Sequence, residues 1–256
     1  MSDFEKIILE GSSQKSDNWH EIRRGRFTSS EIHKLFTKSK TKEFANAHEG
    51  FGQTAVTYIE TKAMEIFTGE NLSSDIDNLY AVKWGNTFEE CARIFYELTT
   101  GDKAEVCGFY PHGENAGGSV DFKSRMVGVG EIKCPSNRSV HASYLMNIPS
   151  FDFLRQVKDE YWTQLQCNMH FTGLPSCAFI SFDPRYFTQA WPDQDEQSFS
   201  PQYAFETATE RQKKLGFLMV QGEYDEAFGI QLEETLARAV KMRDRLLNQI
   251  SERIKL

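Results

Sequence analysis

At 256 residues and 29.4 kDa, with 39% hydrophobic and 13% aromatic residues, the chain can bury a sizeable core and does not read as disordered. A formal net charge of −8 argues against bulk attraction to nucleic acid, so any such contact must come from local charge. No run approaches a membrane span, Met1–Lys6 carries no secretory signal, and Cys91, Cys107, Cys134, Cys167 and Cys177 are dispersed without a C-x-x-C, which predicts a cytoplasmic chain with reduced core thiols.

In chain order, Trp19–Arg24 is predicted as a short helix. From His20 to Lys42 there are seven basic residues (Arg23, Arg24, Arg26, Lys34, Lys38, Lys40, Lys42) against two acids (Glu21, Glu31). This local excess is either a solvated loop or a phosphate-binding rim. Thr28-Ser29-Ser30-Glu31 reads as a helix start, with Thr28 as N-cap and Glu31 three residues on. A polar, basic loop is expected over 37–50. Gln53–Phe67 is helical by pattern and ends at Gly69. Leu79–Thr99 is a longer helix ending at Gly101, with Phe88, Cys91, Ala92, Phe95 and Leu98 as its apolar stripe. Trp19 and Trp84 read as packing anchors.

Strands are predicted over Ala104–Tyr110, Gly118–Phe122 and Met126–Cys134, the last ended by Pro135. A helix over Phe153–Phe171 follows, with Leu154, Val157, Tyr161, Leu165 and Met169 inward. Cys177–Phe182 is a fourth strand and Tyr186–Trp191 a fifth. From Pro201 the rest reads as helical, with a C-terminal helix over about 223–254. The expected fold is α/β (α+β), a central mixed β-sheet flanked by helices. We expect a single domain over 1–256, with a helical part (about 1–102), a sheet core (about 103–192) and C-terminal helices (about 200–256). His141 and His170 read as polar core or surface residues, and no phosphate-cradling glycine loop marks an ATP-driven motor.

The most telling stretch is Ser119-Val120-Asp121 followed by Val127-Gly128-Val129-Gly130-Glu131-Ile132-Lys133-Cys134-Pro135. Strand alternation places Glu131 and Lys133 on one face, with Val127 and Val129, and Ile132 on the other. A charge on a core-directed face is costly unless it is paired or metal-bound. Asp121 and Glu131 are candidate ligands for Mg²⁺, which prefers oxygen donors, and the Ile132 carbonyl adds a third. Lys133 would orient water or neutralise developing charge. Such a set suits phosphodiester hydrolysis, whose barrier an enzyme must lower by on the order of 20 kcal/mol.

The surroundings resemble the PD-(D/E)XK nuclease superfamily and, more closely, the lambda exonuclease family of YqaJ-like viral recombinases. Trp19-His20-Glu21-Ile22-Arg23-Arg24-Gly25-Arg26-Phe27-Thr28-Ser29-Ser30-Glu31 is similar to that family's W-x-x-x-R-x-G-x-x-T-A-S-E block. Trp84-Gly85-Asn86-Thr87-Phe88-Glu89 resembles its W-G-x-x-x-E helix. Ser119-Val120-Asp121 with Glu131-Ile132-Lys133-Cys134-Pro135 resembles its D…E-x-K block, Tyr161–Gln166 its Y-x-x-Q-x-Q helix, and Phe182-Asp183-Pro184-Arg185 its Y-D-P-R strand end. The blocks keep the family order over about residues 19–185. Val120 stands where the family has proline. The family's additional upstream acid has no clear counterpart; Glu114 lies in its region.

The resemblance implies a restriction-endonuclease-like core and a set of roles. Asp121 and Glu131 would be the principal metal ligands, with Ile132 and Glu89 contributing, Lys133 catalytic and Gln164 supporting the site. Arg23 and Ser30 would bind the 5′-phosphate of a DNA end. It implies an Mg²⁺-dependent exonuclease, with Mn²⁺ as substitute and no iron–sulfur cluster or ATP. The enzyme would degrade linear duplex DNA 5′ to 3′ and leave 3′ single-stranded tails for a single-strand annealing partner in phage-type recombination. A ring-shaped homotrimer would encircle the duplex. The competing readings are a RecB-type nuclease of the same superfamily and a non-catalytic DNA-end-binding recombination protein.

Overall fold

The computed structural model describes residues 21–72, 80–187 and 199–254. Trp19 and His20, and most of the strand expected over Tyr186–Trp191, lie outside the described residues. Among those described, no helix is long and apolar enough to cross a membrane.

Residues 21–23 are helical, as expected. β1 (Phe27–Thr28) follows, then a 3₁₀ helix over Ile32–Phe36. The expected N-cap is therefore corrected. Thr28 belongs to a strand, and Glu31 precedes the 3₁₀ turn without a side-chain cap. The basic loop is also interrupted, by α1 (Lys42–Ala47), which the Thr41 side chain caps by accepting from the Phe44 amide. α2 (Gln53–Thr68) ends at a left-handed Gly69 as its sequence indicates. α3 spans Tyr80–Thr100. It buries Trp84, Phe88, Ala92, Phe95 and Tyr96, whereas Leu98, expected in the stripe, is 39% exposed.

The strands are shorter than expected and divide between two sheets. β2 (Glu105–Val106) and β5 (Phe122–Ser124) belong to one sheet, β3 (Phe109–His112) and β4 (Ala116–Ser119) to the other. β6 spans Gly128–Lys133. α4 (Arg138–Asn147), not foreseen, is capped by the Asn137 side chain. The expected Phe153–Phe171 helix is two helices, α5 (Phe151–Val157) and α6 (Asp159–Thr172), separated by the extended φ of Lys158. β7 (Ser176–Phe182) leads into a 3₁₀ turn at Pro184–Tyr186, so Tyr186, the first residue of the strand expected over Tyr186–Trp191, lies in a turn. Pro184 explains this: it fixes φ and removes an amide donor. α7 (Pro201–Thr207) and α8 (Glu210–Gly216) follow, and then β8 (Phe217–Glu223), a strand within the stretch read as helical. α9 covers Glu226–Ile254.

The larger sheet has the order β2-β5-β6-β7-β8, with β6 and β7 parallel and the other pairs antiparallel. Parallel neighbours need a long crossover, which α4, α5 and α6 supply. The smaller sheet is β1-β4-β3, with β1 parallel to β4 and β3 antiparallel to it. Along β7, Cys177 and Phe179 enter one core cluster, while Ala178, Ile180 and Phe182 enter the other. The sheet is thus covered on both faces, by α6 and α9 on the first and α3 and α7 on the second. This is the mixed-sheet α/β fold expected. One detail is corrected: Val129 packs on the first face but Val127 on the second, because Gly128 at φ +72° breaks the extended run between them.

Candidate active site

β6 carries Val129 and Glu131 toward α6, and Ile132 toward α3. Its pairing with β5 ends at Phe122↔Gly130, one residue before Glu131. Beyond that point β5 no longer covers this edge, and Asp121, just ahead of β5, takes its place. The Ile132 amide donates to Asp121 Oδ2 at 2.6 Å. A strand residue's N–H and C=O leave on the same side, so the Ile132 carbonyl is directed to the edge that Asp121 occupies.

Glu131 is 1% exposed. Its Oε1 accepts from Lys133 Nζ at 2.5 Å, and its Oε2 is buried with no hydrogen-bond partner among the described residues. An unsatisfied buried charged group costs on the order of 1–3 kcal/mol or more. Burial, together with the like charge of Asp121 and more weakly of Glu89, pushes Glu131 up to about 8 against the pull of Lys133. Burial alone lowers Lys133, but the charges of Glu131 and Asp121 outweigh it and lift the ammonium above the ordinary lysine range. Its Nζ also lies 4.9 Å over the Tyr161 ring. A cleft of about 350 Å³ opens here, with Gly85, Glu89, Ile132, Lys133, Pro135 and Tyr161 in its wall.

Glu89 therefore faces the same cleft from α3, while neighbouring Glu90 is exposed. Gln164 is 8% exposed on α6, three residues after the cleft-lining Tyr161 and so on the same helix face. The second glutamine of that block is structural: Gln166 donates to the Glu223 carbonyl and accepts from the Asp225 amide. Arg185 is structural too. It forms a two-pronged pair with Asp183 and donates to the carbonyls of Pro135 and Ser136, tying down the turn after the E-x-K strand. Its guanidinium lies 4.8 Å from the Trp84 ring, so three of the sequence blocks meet there.

Arg23 Nη1 reaches Ser119 Oγ at 3.4 Å, at the end of β4 and two residues from Asp121. Burial lowers Arg23, and Tyr58, Glu31 and Glu65 oppose that. Ser30, half-buried, approaches Thr28 Oγ1 at 3.5 Å. Ser29 extends the parallel pairing of β1 with β4 through its amide to the Gly117 carbonyl, so Arg23 and Ser30 stand at the strand ends that lead into Asp121. Ser30 does so ahead of a five-residue 3₁₀ turn rather than an α-helix. Glu114 is exposed on the β3–β4 turn, near Arg26, and apart from this set.

Sequence reading missed Asn168, fully buried, whose Nδ2 donates to the Ser119 carbonyl at 3.3 Å. The signal was present: it lies four residues after Gln164, on the same face of α6. Also missed was the buried pair Lys62–Glu65, in which Glu65 Oε2 accepts from the Gly25 amide at 2.9 Å and from Lys62 at 3.0 Å. That pair fixes the loop following Arg23.

Residues 18–175 match the model of the YqaJ-like viral recombinase domain. The chain belongs to this family. The match spans Arg23, Ser30, Glu89, Asp121, Glu131, Lys133 and Gln164. No curated protein matches the chain in sequence. Among solved structures, an alkaline exonuclease from Laribacter hongkongensis (LHK-Exo) superposes with a TM-score of 0.69 at 20% identity, covering 94% of this chain and 98% of that one. The same enzyme in complex with dAMP gives 0.69 at 21% identity with the same coverage. A phage-related exonuclease from Haemophilus somnus 129PT gives 0.63 at 17% identity, covering 88% and 96%. The fold of this YqaJ-like chain is thus the fold of those exonucleases.

Proposed function

We propose that this chain is a metal-dependent deoxyribonuclease that degrades linear duplex DNA from its ends, 5′ to 3′, and leaves 3′ single-stranded tails. The carrying observation is Glu131, a buried carboxylate with one oxygen unpartnered beside Asp121, Lys133 and an open cleft. The donors fit a hard divalent cation: carboxylate oxygens of Asp121 and Glu131, the Ile132 carbonyl, and Glu89 from α3. When bound, Mg²⁺ or Mn²⁺ supplies Lewis acidity that makes water more acidic and offsets phosphate charge.

The chain's own residues then divide the work. The Ile132 amide holds Asp121 Oδ2 in orientation. Lys133, held as an ammonium by its acidic neighbours, is a donor rather than a base. It orients the attacking water or stabilises charge developing on the phosphate. Gln164 supports the set from α6. Arg23 and Ser30 receive the 5′-terminal phosphate, Arg23 with a planar fork suited to it. A trimeric ring around the duplex and transfer of the tail to a single-strand annealing protein, as the family resemblance implies, complete the reading.

Linear duplexes labelled at either end, carrying 5′-phosphate or 5′-hydroxyl, test it. Nucleotide release is expected only with Mg²⁺ or Mn²⁺, starting at the 5′ strand and faster from phosphorylated ends. Arg23→Ala should reduce that preference roughly tenfold, the worth of one charged hydrogen bond. DNA binding with no release under any metal would overturn the nuclease reading, and an unchanged end preference in Arg23→Ala would overturn the phosphate role.

A further inference from the structure

A second cluster of ligand-type side chains lies at the other end of α6. His112 from β3, His170 from α6 and Glu233 from α9 each present one ligand atom, and the three atoms lie within 4.8 Å of one another. Nε2 of His112 and Nε2 of His170 each stand 2.6 Å from the same oxygen, Glu233 Oε1. Among the described residues this is the set of His, Cys, Asp and Glu that converges so closely. It is remote from the nuclease site: nine residues of α6, roughly 13 Å of helix, separate His170 from Tyr161 in the cleft wall.

The imidazoles are held in place. His112 stacks on Phe171 at 4.9 Å and meets His170 edge-on at 5.1 Å. His170 Nδ1 lies 2.6 Å from the Tyr224 hydroxyl. This is the support a metal-bound imidazole requires, because the second ring nitrogen then carries the proton and donates it to a fixed acceptor. Gly229, one turn ahead of Glu233 on α9, supplies an independent observation. A Cβ there would fall 1.8 Å from the Tyr224 hydroxyl and 3.3 Å from His170 Nδ1. Glycine inside a helix is unfavourable by about 1 kcal/mol relative to alanine, and here it makes room for the group that orients His170.

We propose that His112, His170 and Glu233 form a divalent transition-metal site of the Zn²⁺ class, which fastens α9 to β3 and to the far end of α6. Two imidazoles and one carboxylate make up a tetrahedral set with its fourth position left to water, and half-exposed Glu233 leaves that position open to solvent. Nitrogen donors select Zn²⁺, Co²⁺ or Ni²⁺ over Mg²⁺, whereas the all-oxygen set at Asp121 and Glu131 has the opposite preference. The two sites are therefore separable by metal as well as by position.

The test is a Co²⁺ titration of the metal-stripped full chain carrying Glu131→Gln, in excess Mg²⁺, followed by visible absorption and calorimetry. One equivalent should bind with the strong ligand-field bands of a low-coordinate ion, and Zn²⁺ should displace it. His112→Asn or Glu233→Gln should weaken binding at least 100-fold, and Tyr224→Phe roughly tenfold. Zn²⁺ should raise the melting temperature of the parent by about 5 °C and leave that of His112→Asn unmoved. Glu233 is half-exposed, so Glu233→Gln serves as a folded control, verified by circular dichroism. Lack of saturable Co²⁺ binding, or binding by His112→Asn and Glu233→Gln as tight as by the parent, would overturn the site. Neither outcome bears on hydrolysis at Glu131.

Discussion

Two buried glutamates, each paired with a lysine, stand among the described residues, and one of them is the centre of the proposed site. Glu65 is 2% exposed on α2, and Lys62 reaches both its oxygens at 3.0 and 3.1 Å, while the Gly25 amide donates to Oε2. Every polar atom of that carboxylate is satisfied, and the pair joins a helix to the loop after Arg23. Glu131 is buried to the same degree, yet Lys133 takes one oxygen and the other has no hydrogen-bond partner among the described residues. Spacing explains the difference. On a helix, residues three apart meet, and the glutamate turns inward to a backbone donor. On a strand, residues two apart share a face, and Glu131 sits where β5 has stopped and Asp121 stands instead. A buried ion pair closed by a third donor is structure; one left short of a donor, beside a second carboxylate and a cleft, is what the proposed metal site requires.

The largest expected effects break this contrast from both sides. Glu131→Gln should lower nuclease turnover by at least roughly 10³-fold, since it removes a metal oxygen and a negative charge together. It should not lower the unfolding free energy, because burial already disfavours the Glu131 carboxylate and Lys133, 28% exposed, keeps contact with water. Glu65→Gln should do the reverse. Leaving Lys62 buried and short of its partner should lower stability by about 3 kcal/mol, with turnover per folded molecule unchanged. Denaturant titration beside single-turnover digestion measures both. If Glu65→Gln proved catalytically dead while folded, or Glu131→Gln proved unstable, the division between the pairs would fail.

What was legible in the sequence follows the same physics. Alternation along 129–133 placed Glu131 and Lys133 together, and a glycine after each long amphipathic run marked the ends of α2 and α3. The partition of the strands was not legible. Val120-Asp121 joins β4 of one sheet to β5 of the other, and no local pattern distinguishes a strand that changes sheet from one that continues. β8 was hidden because, among the described residues, Phe217–Glu223 pairs with β7 alone, and its apolar residues read equally well as helix. The break at Lys158 had no proline or glycine to announce it. Asn168 and the Lys62–Glu65 pair depend on contacts between α6 and β4 and between α2 and residue 25, far apart in sequence. His170 read as an ordinary core or surface residue because its partners lie 58 and 63 positions away.

Lys133 sharpens the contrast at an intermediate scale. Lys133→Ala should lower turnover by roughly 10²- to 10³-fold, the size seen when a donor to developing charge is removed. It should leave metal binding in place, since it removes no ligand oxygen. Calorimetric titration with Mn²⁺ separates the two roles. Loss of binding would make Lys133 an organiser of Glu131 rather than a donor to the reacting group.

The smallest effect is the pH dependence of metal affinity, and its sign follows from Glu131. Burial and Asp121 push this carboxyl up to about 8, above its ordinary value. Below that pH the metal-free protein holds a proton on Glu131, and a cation must displace it. Apparent Mg²⁺ affinity should therefore fall about tenfold for each pH unit below 8 and level off above it. The raised value also means that burial disfavours the ionised form, so in the metal-free protein the Glu131 contribution to stability declines as pH rises from the unfolded value through about 8. Magnesium should reverse that decline, because it favours the ionised carboxylate. In Glu131→Gln both trends should vanish. Titrations of Mg²⁺ affinity and of melting temperature between pH 6 and pH 9, run in parallel on the two proteins, decide the matter. A pH slope that persists in Glu131→Gln would transfer the titrating role to Asp121 or Glu89.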